Sequence, residues 1–221
     1  MTQDAVLRAR DVVVRYPTKV IGPLEVTVGR GRVLCLLGPN GAGKTSFIRA
    51  LLGLVPATGH LSFEGRPLAL GAREFLRGVG WASDDIGALP GELTAQELWR
   101  YQAWCADTGL DPERAAANAR RMARRLELSP VPGQLIRSFS LGMRRKTQLV
   151  SALMSGPTLV IVDEPRNGLD PLMADELSRV FREACAAGTS IVVATHDLDF
   201  VEREGTDVLV IADGRQVAAG P

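Results

Sequence analysis

A glycine-rich loop carries the residues best suited to binding phosphate. The segment from Gly38 to Thr45 fits the pattern G-x-x-x-x-G-K-[ST] at every position. Glycines let successive backbone N–H groups turn towards phosphate oxygens, and a helix that begins at the loop adds a favourable dipole. Lys44 would reach the β- and γ-phosphates, and the Thr45 hydroxyl would bind Mg²⁺. The predicted nucleotide-binding residues of this segment are Gly38, Pro39, Asn40, Gly41, Ala42, Gly43, Lys44, Thr45 and Ser46.

A second chemical signal is an acidic pair at the end of an apolar run. Residues 159–162 are all apolar, and Asp163 and Glu164 follow directly. Carboxylates at the carboxyl end of a parallel strand lie where open α/β sheets bind ligands. Asp163 would hold Mg²⁺, and Glu164 would orient and deprotonate an attacking water molecule.

The elements that position these residues follow from periodicity and turn signals. Short apolar runs predict strands at 12–14, 24–28, 33–37, 60–63, 79–82, 159–162, 191–194 and 208–211. Helices are expected at 45–52, 94–105, 111–128, 141–153 and 172–187. Thr94 with Glu97 forms a capping box, and Asp111 with Pro112 marks another helix start. We therefore expect an α/β core with a parallel sheet at 1–85 and 157–221, interrupted by an all-helical insert at 86–156.

Composition excludes several functions. The chain has 221 residues with a net charge of +1, so neither nucleic acid nor an acidic partner is indicated. Its apolar runs fall far short of the ~20 residues that cross a bilayer, and its start lacks the features of a signal peptide. The cysteines (Cys35, Cys105 and Cys185) are odd in number and not at metal-binding spacing. A cytosolic protein is predicted, with any membrane role exerted through a partner.

Three further segments resemble the ABC ATPases. Residues 139–143 (FSLGM) resemble the signature motif, in the S-x-G-M form common among exporters with separate membrane subunits. Residues 167–171 (NGLDP) resemble the D-loop, preceded by Arg166 where threonine is usual. Residues 194–197 (ATHD) resemble the loop that carries the switch histidine, which is His196 here. The resemblance runs from about residue 7 to residue 220.

The resemblance implies a fold, a site and partners. The expected fold is the P-loop NTPase core of ABC type, with an N-terminal antiparallel β subdomain and the inserted helical subdomain. The expected catalytic residues are Glu164 and His196. Further nucleotide contacts fall on Tyr16, which would stack on adenine, and on Ser140, Gly142, Met143 and Asp170. Asp84 stands where the family has glutamine or glutamate in its Q-loop, and it is a candidate Mg²⁺ ligand with Thr45 and Asp163.

The function implied is that of an ATP-hydrolysing subunit of a transporter, most often an exporter. Two such subunits would enclose two ATP molecules and drive separate membrane subunits from the cytoplasmic face. The alternative is a soluble ABC protein that acts as a regulatory or nucleic-acid-associated module. Two surface features stay open at this stage. The arginines of 114–125 form either a solvated face or a lipid-headgroup contact, and Trp99, Tyr101 and Trp104 form either the core of the insert or part of a groove for a membrane partner.

Overall fold

The N-terminal segment forms an antiparallel sheet because its strands alternate buried apolar and exposed polar residues. The computed structural model describes residues 4–105 and 110–221. Strand β1 (Ala5–Tyr16) pairs with β2 (Lys19–Gly29) on one side. On the other side it pairs with β4 (Ala57–Phe63), which in turn pairs with the short β5 (Arg66–Leu68). This four-stranded sheet is the predicted β subdomain.

A second, six-stranded sheet places the chemical motifs at one edge. Its order is β10-β9-β3-β8-β7-β6. The strands are β3 (Val33–Leu37), β6 (Val79–Ala82), β7 (Leu159–Asp163), β8 (Ser190–Thr195), β9 (Asp207–Ala212) and β10 (Arg215–Gly220). All of these strands except β10 run parallel to one another, so their carboxyl ends share an edge. The predicted parallel sheet is therefore correct for those five, whereas β10 is antiparallel to β9.

The two faces of the second sheet form two cores. Alternate residues of β3 point to opposite faces because a strand has a period of two. Leu34 and Leu36 pack with the first sheet and with helix α1 (Lys44–Leu51), whereas Val33 and Cys35 pack with the other helices. All four side chains are buried. The sheet is thereby fixed on both sides, and the loops at its carboxyl edge have a rigid base.

Three longer helices form most of the predicted insert. They are α3 (Ala95–Cys105), α4 (Pro112–Arg125) and α5 (Leu141–Leu153). The predicted capping box is present: Glu97 Oε2 accepts from the Thr94 backbone N–H at 2.8 Å, and Thr94 Oγ1 accepts from that of Glu97 at 3.2 Å. Asp111 caps α4 by accepting from Arg114 N at 3.1 Å. Helix α6 (Pro171–Ala186) follows β7 and packs on the face of the six-stranded sheet that also contacts the helices of the insert.

Several boundaries differ from those expected. Helix α4 ends at Arg125 because Glu127 adopts a left-handed φ of 51°, and Leu128 N then donates to Ala123 O at 2.8 Å. The short helices α2 (Arg73–Arg77) and α7 (Leu198–Glu204), with β5 and β10, were not predicted. In the part of the chain that the structure describes, no helix is both long and apolar enough to cross a membrane.

Candidate functional site

The phosphate loop lies between the end of β3 and the start of α1, and its curvature depends on glycine. Gly43 has φ 116°, and a Cβ atom there would lie 2.8 Å from Ile21 Cγ2. A Cβ atom at Gly38 would lie 2.2 Å from Ile211 O. A larger residue at either position would displace the loop. The predicted strand, loop and helix are all present.

Lys44 and Thr45 project from the first turn of α1 towards the end of β7. The Lys44 ammonium is buried and donates to Gly38 O at 2.6 Å and to Pro39 O at 3.2 Å. Thr45 Oγ1 donates to Asp163 Oδ2 at 2.6 Å. The two motifs, 118 residues apart in sequence, therefore meet in one place because β3 and β7 flank β8 in the sheet.

Asp163 has the properties of a cation ligand. It is 1% exposed, and its Oδ1 atom has no hydrogen-bond partner among the described residues. The pKa of its carboxyl is raised to about 6, chiefly by burial and also by the charges of Asp84 and Glu164, while the Thr45 hydroxyl and Lys44 oppose the shift. A buried carboxylate oxygen without a donor fits a bound metal ion. No group of three His, Cys, Asp or Glu side chains could hold a metal within residues 4–105 and 110–221. Mg²⁺ does not require one, since it is commonly held by one or two side chains and substrate phosphates.

Glu164 connects the remaining predicted catalytic groups. Its Oε1 lies 2.9 Å from His196 Nδ1 and 3.7 Å from Lys44 Nζ. Its Oε2 accepts from Thr195 Oγ1 at 3.4 Å. The backbone of Glu164 is left-handed, with φ 47°, a conformation that costs energy for a residue with a side chain. The carboxylate is thereby directed from the strand end towards Lys44 and His196.

Two residues of the β subdomain reach the phosphate loop. Tyr16 is 39% exposed, and its hydroxyl donates to Ser46 Oγ at 3.2 Å, so its ring lies beside the start of α1. Lys19, which the sequence interpretation did not select, donates to Gly41 O at 2.6 Å. The phosphate loop is therefore contacted by two ammonium groups: the buried one of Lys44, which belongs to the motif itself, and the more exposed one of Lys19, which comes from β2.

Asp84 follows β6 and lies at the exposed edge of the site. Its carboxylate raises the pKa of Asp163, which places its charge near the predicted metal position. Its own hydrogen bond is a long one, from Ser83 Oγ at 3.5 Å. The backbone on both sides of Asp84 is held by Arg145 and Gln148 of α5, two buried residues that the sequence interpretation missed.

The predicted signature and D-loop residues lie at helix starts and cap them. Ser140 Oγ accepts from Met143 N at 3.2 Å, and Asp170 Oδ1 accepts from Met173 N at 3.0 Å. A Cβ atom at Gly142 would lie 3.0 Å from Gly168 O, so the two segments are neighbours within one chain. The hydrogen bonds that the structure gives these residues do not join them to the phosphate loop.

Arg166, the unusual residue before the D-loop, forms an ion pair with Asp197. Arg166 Nη1 lies 2.7 Å from Asp197 Oδ2, while Asp197 Oδ1 caps α7 by accepting from Phe200 N at 3.1 Å. This pair joins the segment after Glu164 to the loop that carries His196. The departure of Arg166 from the usual threonine was the only sequence signal for it.

The structure answers part of the question about the aromatic residues of α3 and the arginines of α4. Trp99 is buried, so it belongs to the core of the insert, whereas Tyr101 and Trp104 are 65% and 75% exposed. On α4, Arg125 pairs with Glu176 and Glu183 of α6. The other arginines of this helix are exposed: Arg114, Arg120, Arg121 and Arg124.

Fold and site together define a P-loop NTPase domain of α/β type. A profile of the ABC transporter family matches residues 21–167. The Nod factor export ATP-binding protein I of Cupriavidus pinatubonensis is 34% identical over 98% of this chain and 66% of its own length. The arginine transport ATP-binding protein of Escherichia coli is 29% identical over 86% of this chain and 81% of its own length. A solved structure described as the ATP-binding subunit of an ABC transporter superposes with a TM-score of 0.88 at 30% identity, covering 97% of this chain and 89% of that one.

The chain belongs to the ABC transporter family, as an ATP-binding subunit, and subunits of this class are ATPases. It spans about two thirds of the length of the Nod factor relative. The predicted fold class is confirmed by these similarities.

Proposed function

We propose that the chain binds ATP together with Mg²⁺, hydrolyses the ATP, and uses the cycle to drive separate membrane subunits that export a substrate. The observation that carries this is one connected network. Lys44 and Thr45 of the phosphate loop meet Asp163 and Glu164, and Glu164 meets His196. A phosphate-binding cation, a metal-binding pair and a carboxylate base are components that recur in enzymes of phosphoryl transfer, and here a histidine contacts the base.

Each residue has a distinct proposed task. The phosphate loop and Lys44 would bind the triphosphate, and Tyr16 would stack on the adenine ring. Thr45 and Asp163 would hold Mg²⁺, with Asp84 adding negative charge at the edge of the site. When bound, the ion supplies charge neutralisation at the phosphates. Glu164 would accept a proton from the attacking water, and His196 would orient the Glu164 carboxylate.

Export is the direction favoured by two observations. The name of the Nod factor relative includes export, and residues 140–143 have the S-x-G-M form of exporter signatures. The arginine relative's name gives no direction, and the name of a sugar-transport relative that is 25% identical includes import, so the proposal of export relies on the Nod factor relative and the signature form. We place the subunit on the cytoplasmic face of the membrane, where ATP is available. Exposed Tyr101 and Trp104 offer apolar surface for a membrane partner.

Replacing Lys44 tests the nucleotide site. Lys44→Ala removes the buried cation from the phosphate loop, so affinity for a non-hydrolysable ATP analogue should fall about 30-fold or more. Lys19→Ala removes a partly exposed cation from the same loop, and a loss of only about two- to fivefold is expected. Equilibrium titration of both variants measures this. Unchanged affinity in Lys44→Ala would refute the site.

Direction is tested separately, with the membrane subunits that co-isolate with the chain. These subunits are reconstituted into vesicles with the ATPase subunit outside. ATP-dependent accumulation of substrate in the lumen would support export. ATP-dependent release from the lumen would show import, and failure of any membrane protein to co-isolate would count against the transporter assignment itself.

A further inference from the structure

A fully buried arginine lies between the helical insert and the catalytic strand. Arg145 belongs to the second turn of α5 and is 2% exposed. Burying a guanidinium group is unfavourable unless its donors are satisfied. Burial lowers the pKa of Arg145, and the nearby carboxylates of Asp163, Asp84 and Glu164 oppose that shift.

The partners of Arg145 are mainly backbone carbonyls at the ends of two strands. Its Nη1 donates to Ser83 O, directly after β6, and its Nη2 donates to both Asp163 O and Glu164 O at the end of β7. Nη1 also lies 3.3 Å from Gln148 Oε1. A planar guanidinium presents five N–H donors in a fixed fork and so reaches acceptors on two separate strand ends, which the more compact ammonium of lysine is less suited to do. Arg145 therefore joins the Q-loop to the segment that carries the predicted base.

Gln148, one turn further along α5, completes the contact with the Q-loop. It is 6% exposed, and its Nε2 donates to Asp85 O at 2.9 Å. Together, Arg145 and Gln148 hold the carbonyls of Ser83 and Asp85, on either side of Asp84. Asp84 is thus fixed through its neighbours.

The same arginine bears on the conformation of Glu164. This residue has a left-handed backbone, and its N–H donates to Ala194 O at 2.8 Å. Arg145 binds its carbonyl oxygen, so both polar groups of the Glu164 backbone are held. The first contact comes from β8 and the second from α5.

We propose that Arg145 is a positioning residue for hydrolysis, which fixes Glu164 and Asp84 relative to the helix that begins at the signature motif. The inference rests on the proposed function of Glu164 as the base. Ser140 caps the same helix five residues earlier. A displacement of α5 therefore reaches the backbone of Glu164 through one side chain. Among the described residues, no hydrogen bond or ion pair joins α5 directly to the phosphate loop. Turnover should depend on Arg145, and ATP affinity should not.

Three variants test this in the whole 221-residue chain. Arg145→Met keeps an apolar stem and removes every donor, so kcat should fall at least about tenfold while affinity for a non-hydrolysable ATP analogue stays unchanged. Arg145→Lys keeps a buried cation that reaches only some of the carbonyls. It should recover thermal stability but not kcat.

Arg125→Met is the matched control. Arg125 also joins the insert to the core, through Glu176 Oε1 at 2.7 Å and Glu183 Oε2 at 2.6 Å, but its partners lie on α6, away from the catalytic strand. Its kcat should equal that of the wild type. If Arg125→Met lowers kcat as much as Arg145→Met does, general loosening of the insert explains the effect and the proposal is wrong.

A readout without ATP separates this proposal from the function on which it rests. In the nucleotide-free chain, amide hydrogen exchange at 82–86 and 163–167 should be faster in Arg145→Met than in the wild type, and unchanged in Arg125→Met. Unchanged exchange in Arg145→Met would overturn the proposal, as would a folded Arg145→Lys with wild-type kcat. If the wild-type chain fails to hydrolyse ATP, the proposed function falls, while the exchange result still decides whether Arg145 fixes these two segments.

Discussion

At the scale of single residues, the site keeps a carboxyl group in a buried place. Asp163 is buried with one carboxylate oxygen unpartnered, and Asp84 and Glu164 lie near it. Burial raises the pKa of Asp163 from 3.8 to about 6. The folded chain therefore binds this proton more tightly than the unfolded chain does. The free energy of unfolding therefore falls as pH rises from about 4 to about 6, because the folded chain must ionise a buried carboxyl. Above about pH 6 the destabilisation by the ionised Asp163 stays constant.

Asp163→Asn should therefore stabilise the nucleotide-free chain while abolishing hydrolysis. The amide still accepts from Thr45 but carries no buried charge, so at about pH 7.5 we expect a gain on the order of 1–3 kcal/mol in the free energy of unfolding. ATP hydrolysis should be lost with the predicted metal ligand. Chemical denaturation and an ATPase assay measure the two effects.

The pH dependence is the internal control for that variant. The gain should shrink as pH falls from about 6 towards about 4 and disappear below about pH 3, where the wild-type carboxyl is protonated in both states. If the variant is less stable than the wild type at neutral pH, then neighbouring groups of the protein already offset the unfavourable burial of the ionised Asp163 carboxylate, without a metal ion.

At the scale of elements, the sequence specified strand and helix types where local signals were strong. The continuous apolar run of β3 and the helix after Ser140 were predicted with the bounds they have. Helix α4 was predicted too long because its end depends on a left-handed Glu127, where glycine would have been the usual signal. The five- and seven-residue helices α2 and α7 are too short to show a helical period.

The site was predictable to the extent that side chains do the chemistry. Lys44, Thr45, Asp163, Glu164 and His196 could be selected by motif, and the order of strands explains why they meet. Arg145, Gln148 and Lys19 could not be selected, because their partners are backbone carbonyls. A carbonyl group is present at every residue and therefore leaves no mark in the sequence.

The close packing of α5 on β6 depends on Gly80. A Cβ atom there would lie 1.8 Å from Ala152 O and 2.8 Å from Ala152 C, both in the helix backbone. Gly80→Ala must push α5 away from β6, and we expect a loss of about 1–3 kcal/mol in stability. Because Arg145 belongs to the same helix, kcat should fall as well. Denaturation and ATPase assays check both expectations.

Gly220→Ala is the matched control for that element. A Cβ atom at Gly220 meets no atom within 4 Å, so stability and kcat should equal those of the wild type. If Gly80→Ala is as stable and active as this control, then α5 does not need its close position on β6, and the path from α5 to the Q-loop is less rigid than the contacts indicate.

At the scale of the whole molecule, the edge that carries the site has exposed apolar residues. Leu141 beside Ser140, Leu172 at the start of α6 and Leu198 at the start of α7 are 59%, 76% and 60% exposed. A Cβ atom at Gly168 would lie 3.5 Å from the Leu141 side chain, so the signature and D-loop segments share one surface. Exposed apolar groups around a polar site are typical of a surface that another subunit covers. The pair of ATPase subunits expected from the sequence would cover it.

Glu164→Gln should trap that arrangement. The amide keeps the shape of the side chain but cannot accept the proton, so the variant should bind ATP, fail to hydrolyse it, and accumulate as an ATP-dependent dimer, or as a heterodimer if a paralogous subunit is the partner. ADP should not support the dimer because it lacks the γ-phosphate that would contact the partner subunit's signature segment. Adding Ser140→Arg places bulk and charge in that contact and should dissolve the dimer.

Size-exclusion chromatography with light scattering, in the presence of ATP or ADP, measures whether each variant is a monomer or a dimer. Hydrolysis by Glu164→Gln at the wild-type rate would show that another group is the base, and a dimer that survives Ser140→Arg would show that the second subunit docks elsewhere.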